Sequence, residues 1–252
     1  AVLSAVSADG TTRIHNCAKE PEIIWLCRFL KKMGAEIKGE GSGEILVRGG
    51  GRLKGGDMQV PPDRIVAGTY ICAAAATRGK IEIQNPPEGE LGAFLEVYRK
   101  MGGQCHQIGG KLIVNGKNAG FPLELLETDV YPGFPTDLQS PAMAVLATIP
   151  GESRIREKIF EDRYKLASWL CYMGAKIEIR DGIAVIHGGY PLKGCTVEAE
   201  ELRGGAALVI AALASEGVTR IRGCSFIERG YEHICEDLTA LGGLLIKDRG
   251  TL

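Results

Sequence analysis

The sequence predicts a repeated α/β fold in which helices pack in the middle and sheets lie on the outside. Four segments share a helix-like stretch, a Met-Gly or Leu-Gly break and a strand-like run. Their turn glycines are Gly34, Gly102, Gly174 and Gly242. They recur roughly every 70 residues, and a fixed period of this kind indicates a repeat architecture. The strand-like runs alternate polar and apolar residues, whereas the helix-like stretches are more apolar, so the helices are expected to be buried more deeply.

Three series of segments define the predicted elements of each repeat. The first runs helix, turn, strand and occupies residues 1–16, 69–85, 142–158 and 207–223. The second runs helix, glycine, strand, with glycine as the expected end of the helix, and occupies residues 29–37, 97–105, 169–179 and 238–246. The third adds a strand and a glycine turn at residues 44–56 and 183–195, with a weaker copy at 111–120. Each repeat is thus predicted to run helix–strand–helix–strand–strand.

Composition excludes several classes of protein. The 252 residues carry a formal net charge of −1, which argues against a general nucleic-acid binder. The longest apolar stretches are too short to span a bilayer. The eight cysteines form no C-x-x-C pair and do not cluster with histidines, so no metal or cofactor site is predicted. They are interpreted as reduced, buried thiols of a cytoplasmic protein.

Charged residues recur where a strand or turn leads into a helix. One series comprises Arg64, Asp137 and Arg203. A second series comprises Glu20, Glu22, Arg163 and Arg229. If the repeats are equivalent, these residues gather at one end of the fold. That end is therefore the candidate functional site.

Each of these residues also has a purely structural explanation. Aspartate is a preferred helix cap, so Asp137 could serve only to cap a helix. An arginine at a helix N-terminus opposes the helix dipole, but it could pair with an acid beside it. The acids available to Arg64, Arg203 and Arg229 are Asp63, Glu201 and Glu228. Three arginines at predicted helix N-termini favour instead a site for a multiply charged anion, because helix N-termini and guanidinium groups both bind phosphate and carboxylate.

The stretch YPGFPTDLQSP, residues 131–141, places prolines and a glycine around Asp137. A carboxylate among arginines has a lowered pKa, stays ionised at neutral pH and can accept a proton from a hydroxyl held against it. A general base must be held within hydrogen-bond reach of its target, which a stiff backbone favours. Asp137 is therefore a candidate base, and Thr136 could add a hydroxyl contact.

Six motifs in chain order resemble those of the enolpyruvyl transferases. They are AKEPEI, PPDRIVAGT, GFPTDLQ, IFEDRY, LRGGAALVIA and ERGYE. The resemblance is to the family of UDP-N-acetylglucosamine 1-carboxyvinyltransferases, since GFPTDLQ disfavours the shikimate-pathway relative. It implies an inside-out α/β barrel built from repeated βαβαββ units, with central helices and outer sheets, in two lobes.

The resemblance also implies a reaction and its residues. Enolpyruvate would pass from phosphoenolpyruvate to the 3-hydroxyl of UDP-N-acetylglucosamine with release of phosphate, the first committed step of peptidoglycan synthesis and so of cell wall biogenesis, cell shape and division. Asp137 would act as base, and Arg203 and Arg229 would hold phosphoenolpyruvate. The other implied contacts are Arg163, which would order the site, Ile159 and Phe160 at the amino sugar, Thr136, Glu201 and Arg64, and Glu20 and Glu22 at the lobe interface. No metal or cofactor is implied.

Three local departures from the family pattern affect these expectations. Glu201 stands where the family commonly has an aspartate, Asp162 and Tyr164 replace the usual asparagine and phenylalanine, and Ser-Pro follows Gln139. The family fold has six repeats, whereas this chain shows about four, so residues 1–61 are interpreted as a remnant of the first lobe and residues 62–252 as the second. None of the eight cysteines matches the family's catalytic-loop cysteine, so the chain alone is expected to be inactive, with its missing N-terminal portion as a partner. The alternative is a non-catalytic module of the same fold that binds an anion or a partner lobe.

Overall fold

The computed structural model describes residues 1–87, 89–161 and 163–248. The chain divides into two compact units, the first formed by Ala1–Pro62 with Val130–Gly133 and the second by Asp63–Asp129 with Phe134–Leu252. The interpretation of residues 1–61 and 62–252 as parts of two lobes stays a prediction. Asp162, one of the departures from the family pattern, lies outside the described residues.

The first unit contains one helix–strand–helix–strand–strand repeat. Its elements are α1 (Val2–Ser7), β1 (Gly10–His15), α2 (Pro21–Lys32), β2 (Glu36–Lys38) and β3 (Glu44–Gly49). The strands form an antiparallel sheet in the order β1-β3-β2. Inward residues such as Ile45 and Val47 pack with Cys27 and Leu30 of α2, as expected for strands with one buried face.

The second unit contains the remaining repeats. Its first part comprises α3 (Arg64–Ala76), β4 (Lys80–Gln84), α4 (Gly92–Lys100), β5 (Gln104–Ile108), β6 (Lys111–Asn115) and β7 (Leu126–Glu127). The middle part comprises α5 (Gln139–Ala147), β8 (Gly151–Arg156), α6 (Lys165–Tyr172), β9 (Lys176–Arg180) and β10 (Ile183–Gly188). The last part comprises β11 (Thr196–Glu198), α7 (Leu202–Leu213), β12 (Arg220–Arg222), α8 (Cys224–Glu228) and α9 (Ile234–Ala240).

Three helices form the centre of the second unit. α3, α5 and α7 pack against one another in pairs, and almost all of their residues are buried. Their sequences are apolar all round, which is typical of a helix that is covered on every side. Alanine and glycine predominate in α3 and α7, and such small side chains let helix axes approach closely. The prediction of central helices is confirmed.

The sheets lie outside these helices. Their strand orders are β4-β6-β5, β7-β8-β10-β9 and β11-β12. β5 and β6, like β9 and β10, are antiparallel neighbours, and each hairpin follows a helix that ends before a glycine of positive φ, Gly102 or Gly174. The predicted repeat is therefore observed, and β7 and β11 are each followed along the chain by a central helix, α5 and α7 respectively.

Two expectations were wrong, one about a strand and one about the burial of the cysteines. The strand expected after Gly242 does not form, and Leu244 and Ile246 are almost fully exposed. In the other repeats this strand pairs with the strand that follows it, and the described residues contain no such following strand here. Not all thiols are buried either, because Cys171 and Cys224 are exposed.

None of the described helices is long and apolar enough to cross a membrane. The described part of the chain also contains no group of three or more histidine, cysteine, aspartate or glutamate side chains arranged to hold a metal ion.

Candidate active site

Asp137 lies in a single turn of 3-10 helix, Thr136–Leu138, that leads directly into the central helix α5. Its position is fixed by buried neighbours on both sides. Phe134 is buried and packs its ring on Phe94 with centroids 5.9 Å apart, and Leu138 is fully buried. The N-cap residues of this turn and of α5 are Pro135 and Leu138, and neither helix has a side-chain capping bond. Capping by Asp137 is therefore wrong, whereas its place in the first turn does favour the helix dipole.

Two guanidinium groups bind the two oxygens of the Asp137 carboxylate. Arg163 donates from Nη2 to Oδ1 at 2.8 Å, and Arg203 donates from Nη2 to Oδ2 at 3.1 Å. The arginine side chains are 18% and 14% exposed, against 38% for Asp137. Water therefore reaches the carboxylate more readily than the cations, which are held mostly beneath the surface.

These contacts set the charge of the site. Burial raises the pKa of Asp137, but Arg203 and Arg163 together outweigh burial and hold that pKa below its usual value. Burial lowers the pKa of Arg203, but Tyr231 and Asp137 more than compensate and raise it. At neutral pH the carboxylate and both guanidinium groups are thus charged, with a net charge of about +1 over the three side chains.

Arg203 faces Asp137 because a neighbouring acid is already occupied. The Glu201 side chain caps α7 by accepting hydrogen bonds from the backbone N–H groups of Arg203 and Gly204. Asp63 caps α3 in the same way, with bonds from Ile65 and Val66 of 2.7 and 3.0 Å. The alternative in which Arg203 pairs with Glu201 is therefore wrong, since its carboxylate partner lies 66 residues away in the chain.

Glu157 is a functional candidate that the sequence analysis missed. It follows β8, and its Oε1 accepts hydrogen bonds from the Thr128 hydroxyl at 2.8 Å and from the backbone N–H groups of Ile159 and Phe160 at 2.8 and 3.2 Å. Its Oε2 accepts from the Thr136 hydroxyl at 2.8 Å. One carboxylate thus ties the loop after β8 to the turn that carries Asp137.

This loop also reaches Arg163. Arg163 donates from Nη1 to the Thr136 hydroxyl at 3.0 Å, and its guanidinium carbon lies 5.0 Å from the centroid of the Phe160 ring. Arg163 is therefore held by a carboxylate, a hydroxyl and an aromatic face. Thr136 and Phe160, the two partners other than Asp137, each also donate a hydrogen bond to Glu157.

Tyr231 is the second residue that the sequence analysis missed. It is 2% exposed and lies between α8 and α9. Arg203 donates from Nη1 to its hydroxyl at 3.3 Å and also lies over its ring at 5.7 Å. The Tyr231 hydroxyl is 2.8 Å from that of Thr69 on α3. No sequence pattern indicated Tyr231, because a tyrosine in ERGYE cannot be distinguished in sequence from a core residue.

An open cleft of ≈ 270 Å³ adjoins Arg163. It is lined by Phe160, Glu161, Arg163, Lys165, Leu166 and Glu201. The walls combine an aromatic ring and an aliphatic side chain with cationic and anionic groups. Such a surface can hold a ligand that has both a sugar-like apolar face and negative charge.

The other candidates are placed differently. Arg229 is exposed and lies at the C-terminal end of α8, where a cation favours the helix dipole. The expectation of a helix N-terminus there was wrong, since α9 begins only at Ile234. Arg64 is buried at the first position of α3. Glu20 precedes α2 in the first unit, and its Oε2 is buried without a hydrogen-bond partner among the described residues.

Comparison of the sequence with protein families matches residues 1–238 to the family described as EPSP synthase (3-phosphoshikimate 1-carboxyvinyltransferase). Curated relatives are named UDP-N-acetylglucosamine 1-carboxyvinyltransferase. The protein of Ruegeria pomeroyi is 41% identical over 249 residues, which is 99% of this chain and 59% of the relative. The protein of Thermus thermophilus is 43% identical over 241 residues, which is 94% of this chain and 56% of the relative.

Solved structures have the same fold. The enolpyruvyl transferase NikO from Streptomyces tendae superimposes with a TM-score of 0.85 at 26% identity, over 96% of this chain and 58% of that one. An EPSP synthase from Acinetobacter baumannii, at 21% identity and a TM-score of 0.72, shares the fold over 98% of this chain and 60% of its own. The chain therefore spans less than two thirds of the length of the relatives it matches.

Proposed function

The chain belongs to the EPSP synthase family of enolpyruvyl transferases, and on that premise we propose that it forms part of an enzyme that transfers enolpyruvate from phosphoenolpyruvate to the 3-hydroxyl of UDP-N-acetylglucosamine. The observation that carries the proposal is the Arg163–Asp137–Arg203 cluster beside the cleft. The names of the relatives at about 40% identity favour this acceptor over 3-phosphoshikimate. The same reaction would begin peptidoglycan synthesis.

The two arginines are suited to an anionic donor substrate. A guanidinium group carries five N–H donors, and Arg163 and Arg203 each use two of theirs on side chains that the structure describes. The others can bind the phosphate or carboxylate of phosphoenolpyruvate. Arg229 and Arg64 are proposed as further anion contacts, because their motifs match the family.

Asp137 is proposed as the base. It accepts the proton of the sugar 3-hydroxyl while that oxygen forms a bond to C2 of phosphoenolpyruvate and C3 gains a proton. Elimination then breaks the bond from C2 to the phosphate oxygen and removes a proton from C3, which restores the double bond. When an anion recruits Arg163 or Arg203, Asp137 loses N–H donors, its pKa rises and it becomes a stronger base.

The sugar is proposed to lie in the cleft. The Phe160 ring and Leu166 supply apolar walls, and Ile159 adjoins them through the loop held by Glu157. Thr136 and Glu201 border the same region. We assign Glu20 and Glu22 to the interface between lobes on the family resemblance alone.

We also propose that residues 1–252 do not complete the cycle alone. The proton that C3 gains is supplied in the family by a loop cysteine, which has no counterpart in this sequence. The second candidate, a non-catalytic module that binds an anion, shares the arginine cluster and differs only in lacking turnover. The experiment must therefore measure binding and turnover separately.

The test supplies the remaining length from a relative. Residues 1–252 are joined to the part of the Thermus thermophilus protein that they do not match, and folding is checked by circular dichroism. Phosphate release is then measured from phosphoenolpyruvate with UDP-N-acetylglucosamine, and separately with 3-phosphoshikimate. We expect release with the amino sugar only. A folded fusion that binds phosphoenolpyruvate in calorimetry but releases no phosphate would support the binding module instead.

A further inference from the structure

Tyr231 has no role in the proposed reaction, yet it makes two contacts with Arg203. The guanidinium donates from Nη1 to the Tyr231 hydroxyl at 3.3 Å and lies over the ring at 5.7 Å. Its Nη2 donates to Asp137. The two ends of one planar group are therefore held by different partners. Such a group has little freedom to rotate.

The direction of each hydrogen bond behind Tyr231 can be assigned. The Thr69 hydroxyl has one hydrogen, which it donates to the Ile65 carbonyl oxygen at 2.8 Å. In the 2.8 Å contact between the two hydroxyls, Tyr231 must therefore be the donor and Thr69 the acceptor. Tyr231 in turn accepts from Arg203. The result is a directed chain from Arg203 through two hydroxyls to the backbone of α3.

This chain is buried from Tyr231 inward. Tyr231 is 2% exposed and Thr69 is 3% exposed. Burial raises the pKa of Tyr231 further than Arg203 lowers it, so the phenol keeps its proton and can donate. A buried polar group that loses its partner is costly. The tyrosine hydroxyl is therefore held in one orientation, with its oxygen presented to Arg203.

We propose that Tyr231, braced by Thr69, is a positioning residue that orients the Arg203 guanidinium for the anionic substrate. The inference rests on the proposed function for its catalytic consequence. Tyr231 connects the loop between α8 and α9 to two central helices, α3 and α7. It fixes the direction in which the remaining N–H donors of Arg203 point. Substrate binds the arginine and does not touch the tyrosine.

The variant Tyr231→Phe keeps the ring and its packing but removes the hydroxyl. The fusion described above would show a KM for phosphoenolpyruvate roughly tenfold higher, the scale of one hydrogen bond to a charged group. We expect the KM for UDP-N-acetylglucosamine to change by less than about twofold, since Arg203 is assigned to the other substrate. An equal loss in both KM values or in kcat alone would overturn the positioning role.

A second measurement does not depend on activity. Arginine side-chain nitrogen NMR on the 252-residue chain reports rotation about the Cζ–Nη bonds, with the Arg203 signals assigned from Arg203→Lys. We expect faster rotation at Arg203 in Tyr231→Phe and unchanged signals at Arg163. Unchanged Arg203 signals would overturn the inference. Faster rotation in a chain whose wild-type fusion releases no phosphate would support the positioning and sink the proposed function.

Matched variants separate positioning from loss of stability. Tyr70→Phe removes a hydroxyl one residue from Thr69 that bonds Asp237 at 2.7 Å, and it should leave both KM values unchanged. Thr69→Ser keeps the acceptor and should behave as wild type, whereas Thr69→Val should shift the same KM as Tyr231→Phe. Because the two hydroxyls belong to one chain of hydrogen bonds, the double variant Thr69→Val/Tyr231→Phe should raise the KM for phosphoenolpyruvate no further than Tyr231→Phe does. Additive increases in this KM would contradict a connected hydrogen-bond chain.

Discussion

The Asp137 carboxylate is bonded at both oxygens, which determines what a substitution there must do. Asparagine has nearly the same shape but carries no charge and offers one acceptor oxygen. Arg163 and Arg203 would both lose a charged partner. The consequence for chemistry and the consequence for stability can therefore be measured on the same variant.

Asp137→Asn should lower turnover in the fusion by at least about a hundredfold, the scale of a lost general base. The measurement is phosphate release at saturating substrate. Asp181→Asn is the control, because Asp181 is an exposed turn residue at φ 51° and asparagine tolerates that conformation. A wild-type rate for Asp137→Asn would leave Asp137 with a purely structural role.

The ion pairs of Asp137 with Arg163 and Arg203 also predict that the stability of the fold depends on pH. The pKa of Asp137 is lowered in the folded chain, so its ionised form stabilises the fold above the ordinary carboxyl pKa of about 3.9. That contribution disappears as the pH falls through the lower, folded value. The stability difference between wild type and Asp137→Asn should be constant from about pH 5 to pH 8 and shrink below about pH 4, measured by urea unfolding. A difference that grows on acidification would contradict the lowered pKa.

Some of this geometry was predictable from sequence and some was not. Equivalent repeat positions predicted that Asp137 and Arg203 would lie close together, and they do. The partner of Arg203 was not predictable from neighbours, because Glu201 has a competing use as a helix cap. Glu157 was missed because it follows a strand of alternating charged residues, where a glutamate usually faces solvent.

At the scale of elements, the loop after β8 depends on one side chain. Glu157 accepts four hydrogen bonds, two from backbone N–H groups and two from hydroxyls. The loop carries Phe160, whose ring lies over Arg163. Order in this loop is thus linked to the orientation of an arginine of the site.

Glu157→Gln should loosen the loop without changing the strands. One carboxylate oxygen becomes an amide donor that faces groups that also donate, at a cost of about 1–3 kcal/mol. Hydrogen exchange of the Ile159 and Phe160 amides should accelerate at least about tenfold. Glu127→Gln, which breaks only the exposed pair with Arg156, is the control and should leave both amides unchanged. Equal protection in the two variants would mean that packing alone orders the loop.

Two elements show where a periodic pattern fails. The fourth repeat matches the others as far as Gly242, and the strand expected beyond it is absent. ERGYE has the same repeat position as the segment around Arg163, yet Arg229 ends a short helix while Arg163 precedes α6. The period of the sequence predicts which residues begin a repeat. Whether a strand then forms depends on a neighbouring strand with which it can pair.

At the scale of the second unit, the packing of the central helices affects the position of the site residues. Gly68 on α3 lies against Leu138, which is fully buried and adjoins Asp137. A Cβ atom at position 68 would lie 2.4 Å from Leu138 Cδ1. Because Leu138 is fully buried, its side chain could make room only by moving against packed neighbours, which would disturb the 3-10 turn that carries Asp137.

Gly68→Ala should therefore lower both stability and turnover. Overpacking a buried contact costs about 1–3 kcal/mol, which exceeds the gain of up to about 1 kcal/mol from replacing a helical glycine by alanine. Gly92→Ala at the start of α4 is the matched control, since its Cβ would meet nothing within 4 Å. Urea unfolding should show a loss for Gly68→Ala and no loss for Gly92→Ala. If Gly68→Ala were as stable as wild type but still slow, the shift of Asp137 alone would account for the lost turnover; if it were stable and fully active, the packing of α3 would not control the site.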